Sequence, residues 1–245
     1  MIILGFTASL LAGLATGIGA LPVLFFKNIS DRTLDIMLGF AAGVMLAASS
    51  FSLLVPAIDL GGVWVTSVGV AIGAATIHFI DRFAPHEHFI SGVEGPSSRL
   101  SRLWLFIIAI TIHNFPEGMA VGVSFGGGDV QRGIIIAMAI GLQNMPEGLA
   151  VAFPLVREKF TPMKALGIAT LTGLVEPIGG LIGSALVSFA RPILPWGLAF
   201  AAGAMIFVVS DEMIPESHRQ DSQREGTFGL IIGFIVMMFL DNFMG

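Results

Sequence analysis

No cysteine occurs among the 245 residues, which excludes disulfides and thiolate metal sites. Charge is also scarce, with Asp, Glu, Lys and Arg making only 12% of the chain, roughly half the share usual in a soluble domain. Lys and Arg are missing altogether from residues 1–26 and 33–80. A soluble fold needs a charged exterior along its whole length, so a water-facing globule is excluded. No basic segment precedes the first apolar run and no small-residue cleavage site follows it. That run is therefore expected to stay as a membrane span rather than be removed as a signal peptide. The His-Glu-x-x-His pattern of zinc proteases is missing, and no Ser–His or Cys–His pair offers a nucleophile. An enzyme, including an intramembrane metalloenzyme, is not expected.

What is abundant is apolar: 55% of the residues, with 31 glycines, as where helices approach closely in lipid. A helix crosses the hydrocarbon core with about 20 apolar residues. Eight segments qualify: 2–26, 34–57, 63–83, 103–125, 131–156, 163–188, 193–214 and 227–244. The expected fold is an all-α integral membrane protein of eight transmembrane helices, one domain over residues 1–245. Residues 84–102, rich in Gly, Pro and Ser, read as a flexible loop. Ten of the 12 basic residues fall on the side of that loop, and only Arg132 and Arg191 on the other. The basic side marks the cytoplasm, so both termini are expected outside it.

Two internal repeats run through the chain. A shift of 160 residues superposes 1–85 on 161–245 without a gap. Leu11, Gly13, Leu14, Ile18 and Gly19 then meet Leu171, Gly173, Leu174, Ile178 and Gly179; Phe40, Ala41, Ala42, Gly43 and Met45 meet Phe200, Ala201, Ala202, Gly203 and Met205. Spans 1–3 and 6–8 lie an odd number of crossings apart, which makes an inverted repeat of the kind found in secondary transporters. Between them, His113-Asn114-Phe115-Pro116-Glu117-Gly118 returns 30 residues on as Gln143-Asn144-Met145-Pro146-Glu147-Gly148. Spans 4 and 5 are thus a central antiparallel pair.

Ionisable residues deep in spans are expensive and mark function. Here they are Glu117, Glu147 and Glu176, with His113 beside them and no Lys or Arg in any span interior. Acids without a basic partner make a site that attracts a cation. His113 and Glu117, like Gln143 and Glu147, are four residues apart and share a helix face. Pro116, Pro146 and Pro177 each free a carbonyl one turn earlier, a break tolerated in lipid only where it is buried or lines a wet cavity. A His and carboxylate shell without thiolates suits zinc and can also release it. The same donors suit iron, manganese and cadmium. A carrier and a passive metal pore both fit these residues.

HNFPEG, QNMPEG and the Glu176-Pro177 pair resemble the ZIP family, the zinc- and iron-regulated transporter-like proteins, above all its bacterial branch. The likeness covers essentially the whole chain. It implies zinc uptake into the cytoplasm through a bundle of spans 1, 4, 5 and 6 that moves against spans 2, 3, 7 and 8. It also implies a homodimer in the cell (inner) membrane, with no nucleic-acid partner and no cofactor apart from the transported ion. Carried over by position, it implies a first metal site of His113, Glu117, Gln143 and Glu147. A second would use Asn114, Glu117, Asn144, Glu147 and Glu176. Gln143 departs from the His that many relatives carry, and neutral Asn144 makes the second site the weaker expectation. Met45 is implied as a thioether neighbour. His86 and His88 are candidate ligands for handing metal off on the cytoplasmic side. Asp211, Glu212, Glu216 and His218 read as a polar cluster at the membrane interface.

Overall fold

A computed structural model describes the chain except at residues 27, 84–85, 89–91, 95–101, 219–222 and 245. Its helices are α1 (Ile2–Ala20), α2 (Asp31–Ala47), α3 (Val55–Phe83), α4 (Arg102–Gly126), α5 (Val130–Arg157), α6 (Pro162–Gly173), α7 (Glu176–Phe189), α8 (Leu194–Val208), α9 (Ile214–Ser217) and α10 (Gln223–Met244). Polar caps mark where several apolar runs begin. Ser30, Asp129 and Thr161 each accept from a backbone N–H three residues on, opening α2, α5 and α6.

Among the described residues, six stretches are long and apolar enough to cross a membrane. The longest, Asp31–Ile80, is not one rod. Gly62 breaks α3 with φ +75° and ψ 170°, a conformation that glycine adopts without steric penalty. The chain thus turns where the third apolar segment was expected to start. α4 adds a further 25-residue helix, continuous through Pro116.

The sixth segment is broken where its proline implies: α6 ends at Gly173 and α7 starts at Glu176. Pro177 has no N–H to return to the Gly173 carbonyl, so the ladder stops there. The stretch expected as flexible loop contains an antiparallel hairpin, β1 (His86–His88) with β2 (Gly92–Glu94), pairing His86 with Glu94. The side chains of His86 and His88 lie outside the described residues, and their expected ligand role with them.

Polarity is turned inside out. Trp64, Phe189 and Phe243 are 83%, 87% and 92% exposed, whereas Glu117, Asn144 and Glu176 are fully buried. Such an exterior suits lipid, not water. α2 lies along α10 and α3 along α8, while α1 packs on α5 and α7, and α4 on α7. Backbones touch where no side chain intervenes. A Cβ at Gly13 would fall 2.2 Å from the Gly173 carbonyl oxygen, and one at Gly173 would fall 2.2 Å from that of Gly13. Val44, Ala47 and Ala48 cluster with Ile135 and Ala139 of α5 and Met237 of α10, and larger side chains such as Phe51, Leu142 and Phe234 pack around them. π-helical turns interrupt α2 and α8 at Ala48–Leu54 and Val209–Met213.

Candidate metal site

α4 and α5 cross the interior side by side and bring their repeated motifs together. His113, Asn114 and Glu117 come from α4, Gln143, Asn144 and Glu147 from α5, and Glu176 from the first residue of α7; all are buried. The glycine after each motif glutamate lets a third helix close in. A Cβ on Gly118 would lie 2.0 Å from the Glu176 carbonyl oxygen, and one on Gly148 would lie 1.9 Å from that of Thr16 on α1.

One hydrogen-bonded chain links four of these side chains. Gln143 Nε2 donates to Glu117 Oε2 at 2.6 Å and to Asn144 Oδ1 at 2.7 Å. Asn144 Nδ2 donates to Glu176 Oε1 at 2.5 Å and to the Ala12 carbonyl at 2.8 Å. The amides thus span the gap between two carboxylates of like charge. Glu117 and Glu176, which the resemblance assigns to one site, sit at its two ends. The chain leaves acceptors over. Asn114 Oδ1, Glu117 Oε1, Gln143 Oε1, Glu147 Oε2 and Glu176 Oε2 are buried without a hydrogen-bond partner. Buried polar atoms are almost always satisfied, so these oxygens, with the equally unpartnered Asn114 Nδ2, leave room for a ligand, water or a proton. No Lys or Arg is buried among the described residues to neutralise the carboxylates. Among the described residues, no three His, Asp or Glu side chains close on one another as a ready-made metal cluster. The donor set is a mixture of carboxylates and amides in which the amides occupy the carboxylates.

One residue was missed in the sequence. Glu212, grouped there with the interface cluster, is 2% exposed in its side chain, and its Oε2 lies 2.6 Å from His113 Nε2. Asp211 stays exposed, and His218 is taken up by the Ile214 carbonyl at 2.6 Å and Thr227 Oγ1 at 2.9 Å. A signal was available: the 160-residue shift sets Glu212 on Ser52, so both halves carry a polar side chain at that depth. Met45 is buried in the main apolar cluster with Ala12, Ile140 and Met213.

These features define a class: a multi-pass membrane protein with a cluster of buried carboxylates and amides in its interior. A family model described as "ZIP Zinc transporter" matches residues 87–241. The zinc transporter GufA of Myxococcus xanthus is 43% identical, over 98% of this chain and 99% of its own length. The zinc transporter ZIPB of Bordetella bronchiseptica is 46% identical over 94% of this chain and 78% of its own. Human zinc transporter ZIP11 is 35% identical over 94% of both. The chain belongs to the ZIP family.

Proposed function

We propose that this protein carries divalent metal ions, zinc foremost, into the cytoplasm by alternating access to a site at the bilayer midplane. The observation that carries the proposal is the group of five buried oxygens without partners, set among three carboxylates with no buried Lys or Arg among the described residues. The first metal site is His113, Glu117, Gln143 and Glu147, and the second Asn114, Glu117, Asn144, Glu147 and Glu176. Met45 is a thioether neighbour, and His86 and His88 receive metal on the cytoplasmic side. Before metal enters, the Gln143 and Asn144 N–H groups hold Glu117 and Glu176. An arriving cation replaces those donors, and the amides turn their oxygens toward it. Zinc is favoured because the curated relatives are named zinc transporters, and the His nitrogen and carboxylate oxygens of the set are among its ordinary ligands. Iron, manganese and cadmium are competitors for the same donors.

In this reading the six apolar stretches become eight spans, because Gly62 divides one and α4 adds another. An inverted repeat of spans 1–3 and 6–8 around the α4–α5 pair is supported by three matched features at the 160-residue shift. Gly13 and Gly173 touch each other; the two π-turns coincide; and Gly43 against Leu230 corresponds to Gly203 against Val70. The moving bundle is α1, α4, α5 and α6–α7, working against α2, α3, α8 and α10 in a single domain. The protein acts as a homodimer in the cell (inner) membrane with both termini outside the cytoplasm.

Zinc uptake into proteoliposomes, run in competition with other divalent ions, tests this. Saturable zinc uptake, abolished by Glu117→Gln, is expected. Flux that fails to saturate would replace the carrier by a passive pore, and no flux of any divalent ion would overturn the proposal.

A further inference from the structure

Helical hydroxyls in this protein follow a habit. Thr7, Ser9, Thr111, Ser124, Thr170 and Ser184 each donate to the carbonyl four residues earlier at 2.7–2.8 Å, the usual refuge for a hydroxyl inside a helix. Thr16 breaks the habit. It is fully buried in the regular part of α1, and its Oγ1 has no hydrogen-bond partner. Its default acceptor, the Ala12 carbonyl, is engaged by Asn144 Nδ2. Ser49 is the only other buried hydroxyl without a partner among the described residues. It stands in the first π-turn, where the altered register changes which carbonyls a side chain can reach. No such cause applies to Thr16.

The location of Thr16 supplies a reason. Ala12 and Gly13 lie one turn back on the same face of α1. Asn144 touches the first, and a Cβ on the second would lie 3.4 Å from Glu176 Oε1. The hydroxyl itself faces the α6–α7 break, 2.8 Å from where a Cβ of Gly173 would be. Thr16 is also the residue that the 160-residue shift sets on Glu176. The Gly118 backbone meets the Glu176 carbonyl as the Gly148 backbone meets that of Thr16. The two residues flank the α4–α5 pair in matching places, one with a carboxylate and one with a free hydroxyl.

We propose that the Thr16 hydroxyl is a further oxygen donor of the cation site, the neutral counterpart of Glu176, which a divalent ion meets beside Asn144. This rests on the metal-carrier reading above and adds a position to it. The alternative is plain packing, and the two differ in sign. Thr16→Val keeps the shape and deletes an unsatisfied hydroxyl, so under packing alone it leaves the protein equally or more stable and does not touch metal.

Full-length protein in detergent would be titrated with zinc by calorimetry, and zinc uptake would be measured in proteoliposomes. Thr16→Val should weaken zinc binding about tenfold, the scale of lost metal-site support, and raise the half-saturating zinc for uptake in step. Its metal-free melting temperature should not fall. Thr16→Ser should restore wild-type affinity, and Thr16→Ala should repeat the loss if the valine variant does not fold. Wild-type zinc affinity in Thr16→Val and Thr16→Ala would overturn the assignment while leaving the carrier reading intact. A wild-type protein that neither binds nor moves zinc would remove both.

Discussion

His113 Nε2 lies 2.6 Å from Glu212 Oε2, and this contact ties α4 to the π-turn that follows α8. In the proposed cycle it joins the moving bundle to its support, so the two residues act as a unit. His113→Gln and Glu212→Gln should each cut zinc uptake by about tenfold or more, and the double variant should be no worse than the weaker single. That corresponds to a coupling of about 1.4 kcal/mol or more. Losses that multiply in a double-mutant cycle of uptake rates would show that the pair has no joint role.

Glu117 is assigned to both metal sites and Glu176 to one. Glu176→Gln should therefore reduce zinc uptake less than Glu117→Gln, which should abolish it. Equal and complete loss in both would show that the division between the sites is wrong.

Protons and metal use the same lone pairs. A His that binds metal must be neutral and a liganding carboxylate ionised, so the metal-bound state holds fewer protons than the free one. Raising the pH then favours binding, so zinc affinity should fall as pH drops. His113→Gln, which removes one of the competing groups, should make that fall shallower. Calorimetry in buffers of different ionisation enthalpy counts the protons released. A count of zero with constant affinity would remove the His–carboxylate site.

Gly13 and Gly167 make a matched pair of alanine tests. A methyl at Gly13 meets the Gly173 carbonyl at 2.2 Å, whereas nothing lies within 4 Å of one at Gly167. Gly13→Ala should destabilise by about 1–3 kcal/mol, as overpacking does. Gly167→Ala should be neutral, or up to about 1 kcal/mol more stable through helix propensity. Thermal melts in one detergent compare them directly, and equal melting temperatures would refute the backbone contact.

The absence of cysteine makes topology simple to read by labelling. Gln131, in the first turn of α5, and Glu158, just past its end, lie about 40 Å apart at 1.5 Å per residue. Single cysteines there should react with an impermeant thiol reagent in intact cells only at residue 131. Labelling of residue 158 alone would invert the orientation.

Much of this arrangement was legible in the sequence because lipid imposes strict patterns. The edges of the apolar runs fall beside the polar caps Ser30, Asp129 and Thr161, and the His113–Glu117 spacing places both on one face. The doubled motif announced that α4 and α5 would meet. The division of the sixth segment was half visible: Pro177 signals a lost hydrogen bond, but whether a helix bends or stops depends on what presses against it. Here that is the Gly13 backbone of α1. Glu212 was only half legible: the 160-residue shift sets it on Ser52, but an acid near a segment end looks alike whether it faces headgroups or turns inward. Only the tertiary placement of the turn Val209–Met213 against α4 decides it. The β1–β2 hairpin was hidden by a Gly- and Ser-rich composition that suggests no strands.

The seam where Val44, Ala47 and Ala48 face Ile135 and Ala139 has a mechanical meaning. Long side chains interlock like gear teeth, and one surface can pass another only by lifting each tooth out of its notch. Alanine has no χ1 rotamers to change and valine only one side-chain torsion, so the part of the contact made by Val44, Ala47, Ala48 and Ala139 has few teeth, although Ile135 and Met237 border it. Between two helix groups proposed to move past each other, those four side chains would act as a plain bearing. Replacing Ala47 with leucine would roughen that bearing without removing any proposed metal ligand, so slowed zinc turnover with unchanged zinc affinity is the signature to seek in transport kinetics.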